Sequence, residues 1–425
     1  MQLIIFEDNT ITNFYPLTLT RPAYWLKTGF RTLQEKIINT ITGNSTDYEV
    51  ILFCRGYLEG LVKEETRRFS VNKPPDYDDE ALLVNGLLII DNPLPDILNR
   101  LKAGEMLVRD GRVAAASIPR SSLRKIETFD SLKGGDVLKT LSKVAKPTQS
   151  EAVHLFNYLW EIVELNGRFI EAEFKHGGIL GYVDDDVKIY GDRSKIYVGQ
   201  GSFIESRVIL DARKGPIYIG EETYVEGVSR IEGPAYIGRG TRIFGAQIRP
   251  NCSIGEVCRI GGEVESSIFH AYSNKRHYGY IGHSYIGEWI NLGAGTTNSN
   301  LKNTYGEIKV TLNRNRINTG RTFIGCFMGD HTKTAIGTLI FSGKKMGVSS
   351  HLYGLIKKDI PSFTACLNDD MTEIYLDSAI ETARRVMRRR GKELSHSYEN
   401  LLRYLFDLTL GERGGAGVKR GRFLA

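Results

Sequence analysis

Cysteine is scarce in this chain of 425 residues. Five occur (Cys54, Cys252, Cys258, Cys326 and Cys366), with no CxxC pair and no Cys/His spacing of a zinc site. That excludes a disulfide framework and indicates a reducing, cytoplasmic setting. Proline numbers only 12, and no strict Gly-X-Y period exists, so collagen is excluded despite 45 glycines. No apolar run approaches the ~18 residues of a membrane span. The start, MQLIIFEDNTITNFYP, lacks a basic n-region and reaches acid at Glu7 and Asp8, unlike a secretory signal. Charge of one sign is also lacking: a net +6 admits anionic ligands but does not argue for nucleic acid. Disorder is excluded by 41% hydrophobic and 10% aromatic residues. The length implies two or three domains.

The residues present divide the chain. Residues 1–130 alternate strands and helices, the pattern of an α/β layer fold. Gln2–Glu7, Glu49–Cys54 and Leu82–Ile90 are apolar strands, and Met106–Ser117 folds back at Asp110-Gly111. Residues 131–180 read as a helical connector, with Ala152, Leu155, Leu159 and Ile162 at helical spacing.

Over 181–360 the texture changes. Ile219, Val225, Ile231, Ile237 and Ile243 recur every six residues, and after a one-residue slip at Ile248 the phase resumes at Ile254 and Ile260. This is the hexapeptide period of a parallel β-helix, whose stacked short strands bury an aliphatic ladder that one repeat alone does not. Interruptions fall at 264–280 and 299–322. The tail, 361–425, is helical, with two amphipathic stretches expected to cap the solenoid end. Its last residues, Gly411–Ala425, are expected to fray. The basic run Arg384–Lys392 reads as a solvated face.

The segment INLGAGTTNSNLKNTYG at 290–306 resembles the acetyltransferase domain of bifunctional N-acetylglucosamine-1-phosphate uridylyltransferase/glucosamine-1-phosphate acetyltransferase. With PLTLTRP, VNG near residue 85, GDHTKTAIGT at 329–338 and ETARRVMRRRG, nearly the whole chain resembles a sugar-nucleotidyltransferase-like, two-domain group. The resemblance implies a nucleotidyltransferase-like α/β domain, then a left-handed parallel β-helix, usually trimeric, with acyl-CoA and sugar-phosphate sites between subunits.

In the first domain, sugar nucleotidyltransferases cradle nucleotide phosphates on a G-x-G-T-R loop. Here no glycine lies between Asp8 and Arg21, although Thr20-Arg21 remains. By resemblance the nucleotide-phosphate residues are Thr20, Arg21, Lys27, Asn85 and Gly86. Asn85-Gly86 stands where a magnesium-holding aspartate is usual, with Asp91 nearby. Mg2+ would accompany nucleotidyl transfer, but no ligand set is assigned. Either the domain transfers nucleotides with a rearranged loop, or it has become a binding or structural module.

In the solenoid the resemblance makes His277 the general base, in the H-x-x-Y segment His277–Tyr280, with His283 and His331 as weaker candidates. Arg249, Tyr280, Asn291, Asn300 and Lys302 are the substrate-binding residues it implies. Ala294, Gly295 and Cys326 are the acyl-CoA residues. Two departures stand out: Ser267 replaces a phosphate-binding lysine, for which Lys302 or Lys275 would have to compensate, and Leu301 replaces a tyrosine. The implied function is acetyl transfer from acetyl-CoA to an aminosugar-1-phosphate, with or without nucleotidyl transfer to a sugar-1-phosphate. The alternatives are nucleotidyl transfer alone, or a non-catalytic trimeric scaffold binding nucleotide sugars. Partners are sugar phosphates, nucleotides and further copies of the chain.

Overall fold

The computed structural model describes residues 1–43, 48–91 and 94–421. Its first part is built on a mostly parallel sheet. The strands are β1 (Gln2–Asp8), β2 (Glu49–Leu52), β3 (Ser70–Val71), β4 (Ala81–Asn85), β5 (Glu105–Arg109), β6 (Arg112–Ile118), β7 (Lys133–Gly135) and β8 (Lys146–Gln149). They lie in the order β8-β5-β6-β4-β1-β2-β3, with β7 beside the end of β1. β1 is buried along its whole length, as a central parallel strand must be. Helices α1 (Leu33–Thr42) and α2 (Glu59–Glu65) flank the sheet. A capping box at Thr32, which accepts from the Glu35 N–H, starts α1.

The sheet therefore runs past residue 130. Within the expected connector, β7 and β8 are strands of the first domain, and only α3 (Leu159–Glu173) is a long helix. Two antiparallel strands, Lys309–Leu312 and Asn315–Asn318, form a hairpin within the second interruption. In the first interruption, strands at Ile268–Ala271, Asn274–Lys275 and Tyr280–Gly282 continue the coil around a turn at 276–279.

From Gly178 the chain winds into a three-sided, left-handed parallel β-helix. Ile219 pairs with Ile237, and Ile237 with Ile254, so successive coils advance by 18 and 17 residues. The shorter coil is the slip seen at Ile248, absorbed by an irregularity between Phe244 and Gln247. Every aliphatic residue of the six-residue ladder, from Ile219 to Ile260, is fully buried in one core. Coil stacking leaves no room at Gly255, where a Cβ would lie 1.8 Å from the His270 carbonyl oxygen.

The tail does two jobs. Helices α4 (Leu376–Arg388) and α5 (His396–Leu408) pack with α2 and β1 in the core of the first domain, together with Val348 and Phe363 of the last coils. The solenoid end is covered instead by the segment after α6 (Leu410–Gly415), where Ala416 and Val418 pack on the ladder. The expected fraying does not extend to this segment, since Arg413 is buried and bonded to Glu373 and Thr409. Residues 422–425 lie outside the described residues.

The first domain and the solenoid share a core. Ile11, Phe14, Leu17 and the α3 residues Leu159, Ile162 and Phe169 pack against Ile268, Tyr285, Phe327 and the hairpin residues Val310 and Leu312. Replacing Ile254 by Ala should cost about 2–5 kcal/mol, the range for a large-to-small change in a close-packed core. Urea unfolding will check it; a loss below about 1 kcal/mol would mean that the ladder relaxes around the hole.

Candidate functional sites in the first domain and on the solenoid

The residues expected to hold a nucleotide are buried and already paired. Arg21 is 4% exposed; its guanidinium pairs with Asp330 and stands 3.6 Å from Glu288, both on the solenoid. The Thr20 hydroxyl donates to the same Asp330 carboxylate at 2.7 Å. The Lys27 ammonium pairs with Glu256 at 2.8 Å, and its backbone N–H donates to the Tyr285 hydroxyl. The PLTLTRP and GDHTKT motifs thus meet across the domain boundary. Arg55 holds the loop from behind, pairing with Glu7 and donating to the Arg21 carbonyl at 2.8 Å.

At the end of the sheet, Asn85 donates to Asp8 and to the Val113 carbonyl, and its side-chain oxygen accepts from the Leu87 N–H. Tyr24 lies over Gly86, where a Cβ would be 2.8 Å from the Tyr24 Cβ. Asp8 is filled by Arg112, Asn85 and Thr10. Burial pushes its carboxyl up, but the Arg112 guanidinium and these hydrogen bonds leave it below the ordinary value. A magnesium ion does not fit this arrangement, because the Asp8 carboxylate bonded to Asn85 is consumed by donors. Among the described residues no three His, Cys, Asp or Glu side chains are grouped to hold a metal ion. Asp91 lies apart, at Arg168.

Around the clasp lies a buried polar cluster at the floor of a cleft of about 690 Å3, walled by Trp25, Tyr272 and Trp289. Burial opposes the Arg21 charge, yet Asp330 and Glu288 keep it protonated. Burial pushes the Glu288 carboxyl up to about 7, with Arg21 opposing and Asp330 adding to the rise. His270 and His331 are held well below the ordinary imidazole value, first by burial and then by neighbouring cations. His331 bonds the Tyr398 hydroxyl of α5 at 3.1 Å, and Lys333 donates to the Trp289 and His331 carbonyls. His331 is thereby a packing residue between solenoid and tail.

On the solenoid, two predicted features fall at one corner. The Gly295 N–H donates to the Tyr278 carbonyl at 2.9 Å, so the turn carrying His277 stacks on the turn carrying Ala294 and Gly295. His277 and Tyr278 are exposed there. The chain then enters the face bearing Tyr280, whose hydroxyl donates to Glu265 at 2.6 Å and accepts from the Asn300 amide at 2.7 Å. The same amide lies 2.9 Å from His283 Nδ1. Burial lowers the His283 pKa, with Glu265 opposing. Arg249 sits two coils back from Tyr280, paired with Glu263 at 2.9 Å and Glu232 at 2.8 Å.

Other expected residues do not join this group. Asn291 is exposed on another face, beside Asn274 and Lys333. Lys302 donates to the Glu307 carbonyl. Cys326, expected near the thioester, is sealed in the ladder; burial pushes its thiol up to about 12, with a Ser284 contact opposing. Glu263 and Glu265 escaped sequence reasoning. The signal for them is the coil register, in which Glu263 pairs with Tyr280 and Glu265 with Gly282.

Residues 3–177 match the family model described as "Sugar nucleotidyl transferase". The chain is 31% identical over 205 residues to a bifunctional sugar-1-phosphate nucleotidylyltransferase/acetyltransferase of Sulfurisphaera tokodaii, covering 47% of this chain and 45% of that protein. It is 33% identical over 188 residues to the bifunctional protein GlmU of Acidithiobacillus ferrooxidans, covering 42% and 35%. The matches thus span less than half the length of these curated relatives. A UDP-N-acetylglucosamine acyltransferase structure from Francisella novicida aligns at 15% identity and a TM-score of 0.28, covering 56% of this chain and 79% of that one.

Two measurements probe the clasp. Asp330→Ala, which strands the Arg21 guanidinium, should cost about 3–5 kcal/mol, and adding Arg21→Ala should cost little more. Additive losses in calorimetry would show that the two residues act separately. The pH dependence has a defined sign. Unfolded chains protonate His331 below about 6.5 and the folded chain does not, so this residue removes stability as pH falls through that value. Glu288 acts oppositely: the folded state keeps a proton up to about 7, so stability falls as pH rises from about 4.5. His331→Gln should therefore flatten the acid-side loss, and Glu288→Gln should steepen it, in denaturant titrations across this range.

Proposed function

We propose that the chain is a transferase of nucleotide-sugar metabolism that moves an acetyl group from acetyl-CoA to the amine of an aminosugar at the solenoid corner. The observation that carries this reading is the stacking of the His277 turn on the Ala294-Gly295 turn, with Tyr280 and Asn300 on the adjoining face. Similarity to bifunctional nucleotidylyltransferase/acetyltransferases supports it.

The chemistry is direct. The amine nitrogen attacks the thioester carbonyl, a C–N bond forms, the C–S bond breaks and coenzyme A leaves as its thiol. His277, exposed beside the small residues of the next turn, takes the proton that the amine sheds. Ala294 and Gly295 admit close approach of the acyl-CoA chain, because larger side chains at these turns would stand in its way. Tyr280 and Asn300, held by Glu265 and His283, keep a hydroxyl lone pair and the amide oxygen as acceptors for sugar hydroxyls. His277 standing on an open surface fits a site completed by a second subunit, and a homotrimer in the cytoplasm belongs to this reading.

For the first domain, the family match over residues 3–177 favours nucleotidyl transfer to a sugar-1-phosphate as a second reading. The engaged state of Thr20, Arg21, Lys27, Asn85 and Gly86 favours a docking module, which we adopt.

Purified protein should release thiol from acetyl-CoA in the presence of an aminosugar, and His277→Ala should lose about 10²–10⁴-fold in rate, the contribution of a general base. A thiol assay across an aminosugar panel decides it; no thioester cleavage by the wild type rejects the acetyl transfer. Pyrophosphate release from UTP or dTTP with sugar-1-phosphates should be absent, and its presence would restore the nucleotidyl reading.

A further inference from the structure

The charge around the acceptor face is not that of a phosphate site. Three carboxylates border Tyr280 and Arg249: Glu265 accepts the Tyr280 hydroxyl, and Glu263 and Glu232 flank Arg249. Arg249 is partly open to solvent at 37%, but two of its three guanidinium nitrogens are engaged by carboxylates, Nε by Glu263 and Nη1 by Glu232. Glu232 is further held by Arg230, which also pairs with Asp211. A phosphate monoester would have to displace these carboxylates and then sit among them.

No other cation among the described residues that the resemblance offers is placed to help. Where a phosphate-binding lysine is implied, Ser267 is fully buried: its hydroxyl donates to the Glu265 carbonyl and accepts from the Ser284 N–H. A long cationic side chain has no space at that position. Lys275 is 1% exposed, and its ammonium donates to the Gly261 carbonyl at 2.8 Å and the His277 carbonyl at 3.2 Å. Burial pushes its pKa down to about 8, with Glu263 opposing. Lys302 is turned to the Glu307 carbonyl. His283 stacks on Phe323 and is held toward its neutral form by burial.

We infer that the acceptor is an aminosugar carrying no phosphate monoester at this subsite, recognised through its ammonium group by the carboxylates Glu263 and Glu265. This deepens the acetyl-transfer reading and rests on it. The carboxylates gather the protonated amine by charge, and the amine must then lose a proton before attack. The sugar hydroxyls fall to Tyr280 and Asn300. Arg249 in this arrangement is a positioning residue that holds Glu232 and Glu263 apart.

The test compares thiol release from acetyl-CoA with glucosamine and with glucosamine 1-phosphate as acceptors. In parallel, phosphorus NMR follows binding of glucosamine 1-phosphate and of inorganic phosphate. Free glucosamine should be used with at least about tenfold higher kcat/KM, since like charges at a recognition site oppose the phosphate. The wild type should leave both phosphorus signals unbroadened, and the Glu232→Gln/Glu263→Gln variant, which frees Arg249, should broaden them. Preference for the 1-phosphate, or wild-type phosphate binding that Arg249→Ala abolishes, overturns the inference. Thiol release from neither acceptor, with phosphate binding gained only in the variant, rejects the acetyl transfer but leaves the cationic subsite standing. An unbroadened signal in the variant as well, without glucosamine turnover, rejects both.

Discussion

A guanidinium buried between two carboxylates ties the two halves of this molecule together. Arg21 reaches from the first domain to Asp330 and Glu288 on the solenoid, and Thr20 adds its hydroxyl to the same Asp330 carboxylate. A charge so deeply withdrawn from water is tolerable only when its partners are in place, so the loop before α1 has its conformation dictated by the solenoid. The consequences spread outward. Tyr24 is pressed over Gly86, and Asp8 is left to Arg112 and Asn85. The interface that results is a hydrophobic core common to both domains, with Asn166 of α3 at 0% exposure bonding Gly29 on one side and Ser253 and Asn251 on the other.

Much of this was legible in the residues, for reasons that differ by region. The six-residue ladder could be read because the solenoid repeats one local environment, so Ile219, Val225 and Ile231 each report the same inward position. The missing glycines between Asp8 and Arg21 were legible as a shortage, but not as its cause. The loop's Arg21 meets a partner more than three hundred residues away, and sequence spacing carries no such information. The same limit hid the tail. The apolar stripes of α4 and α5 announced that something would cover them, yet only the fold shows that it is α2 and the last coils rather than the solenoid end. The expected connector takes in β7 and β8 because they are short, contain glycine or proline, and gain their strand character only by pairing with β1 and β5.

At the solenoid corner, residue-by-residue resemblance found Tyr280 and Asn300, which the fold brings within one hydrogen bond. It also named Asn291, which lies in the same motif but on another face, and Cys326, which is sealed in the ladder, since a coil turns side chains through three directions. The residues it passed over, Glu263 and Glu265, decide the charge of the face. They are invisible to a motif because they belong to the preceding coil and meet Tyr280 only through the register.

The proposed acetyl transfer at the solenoid corner, with the Thr20–Lys27 loop as a clasp, makes a definite prediction about bound ligands. A crystal soaked with coenzyme A, an aminosugar and a nucleotide sugar tests it most directly. The soak should show coenzyme A along the Ala294-Gly295 turn, the sugar against Tyr280 and Asn300, and Arg21 still on Asp330. Nucleotide density over Gly86, with Arg21 withdrawn from Asp330 to meet its phosphates, would contradict it.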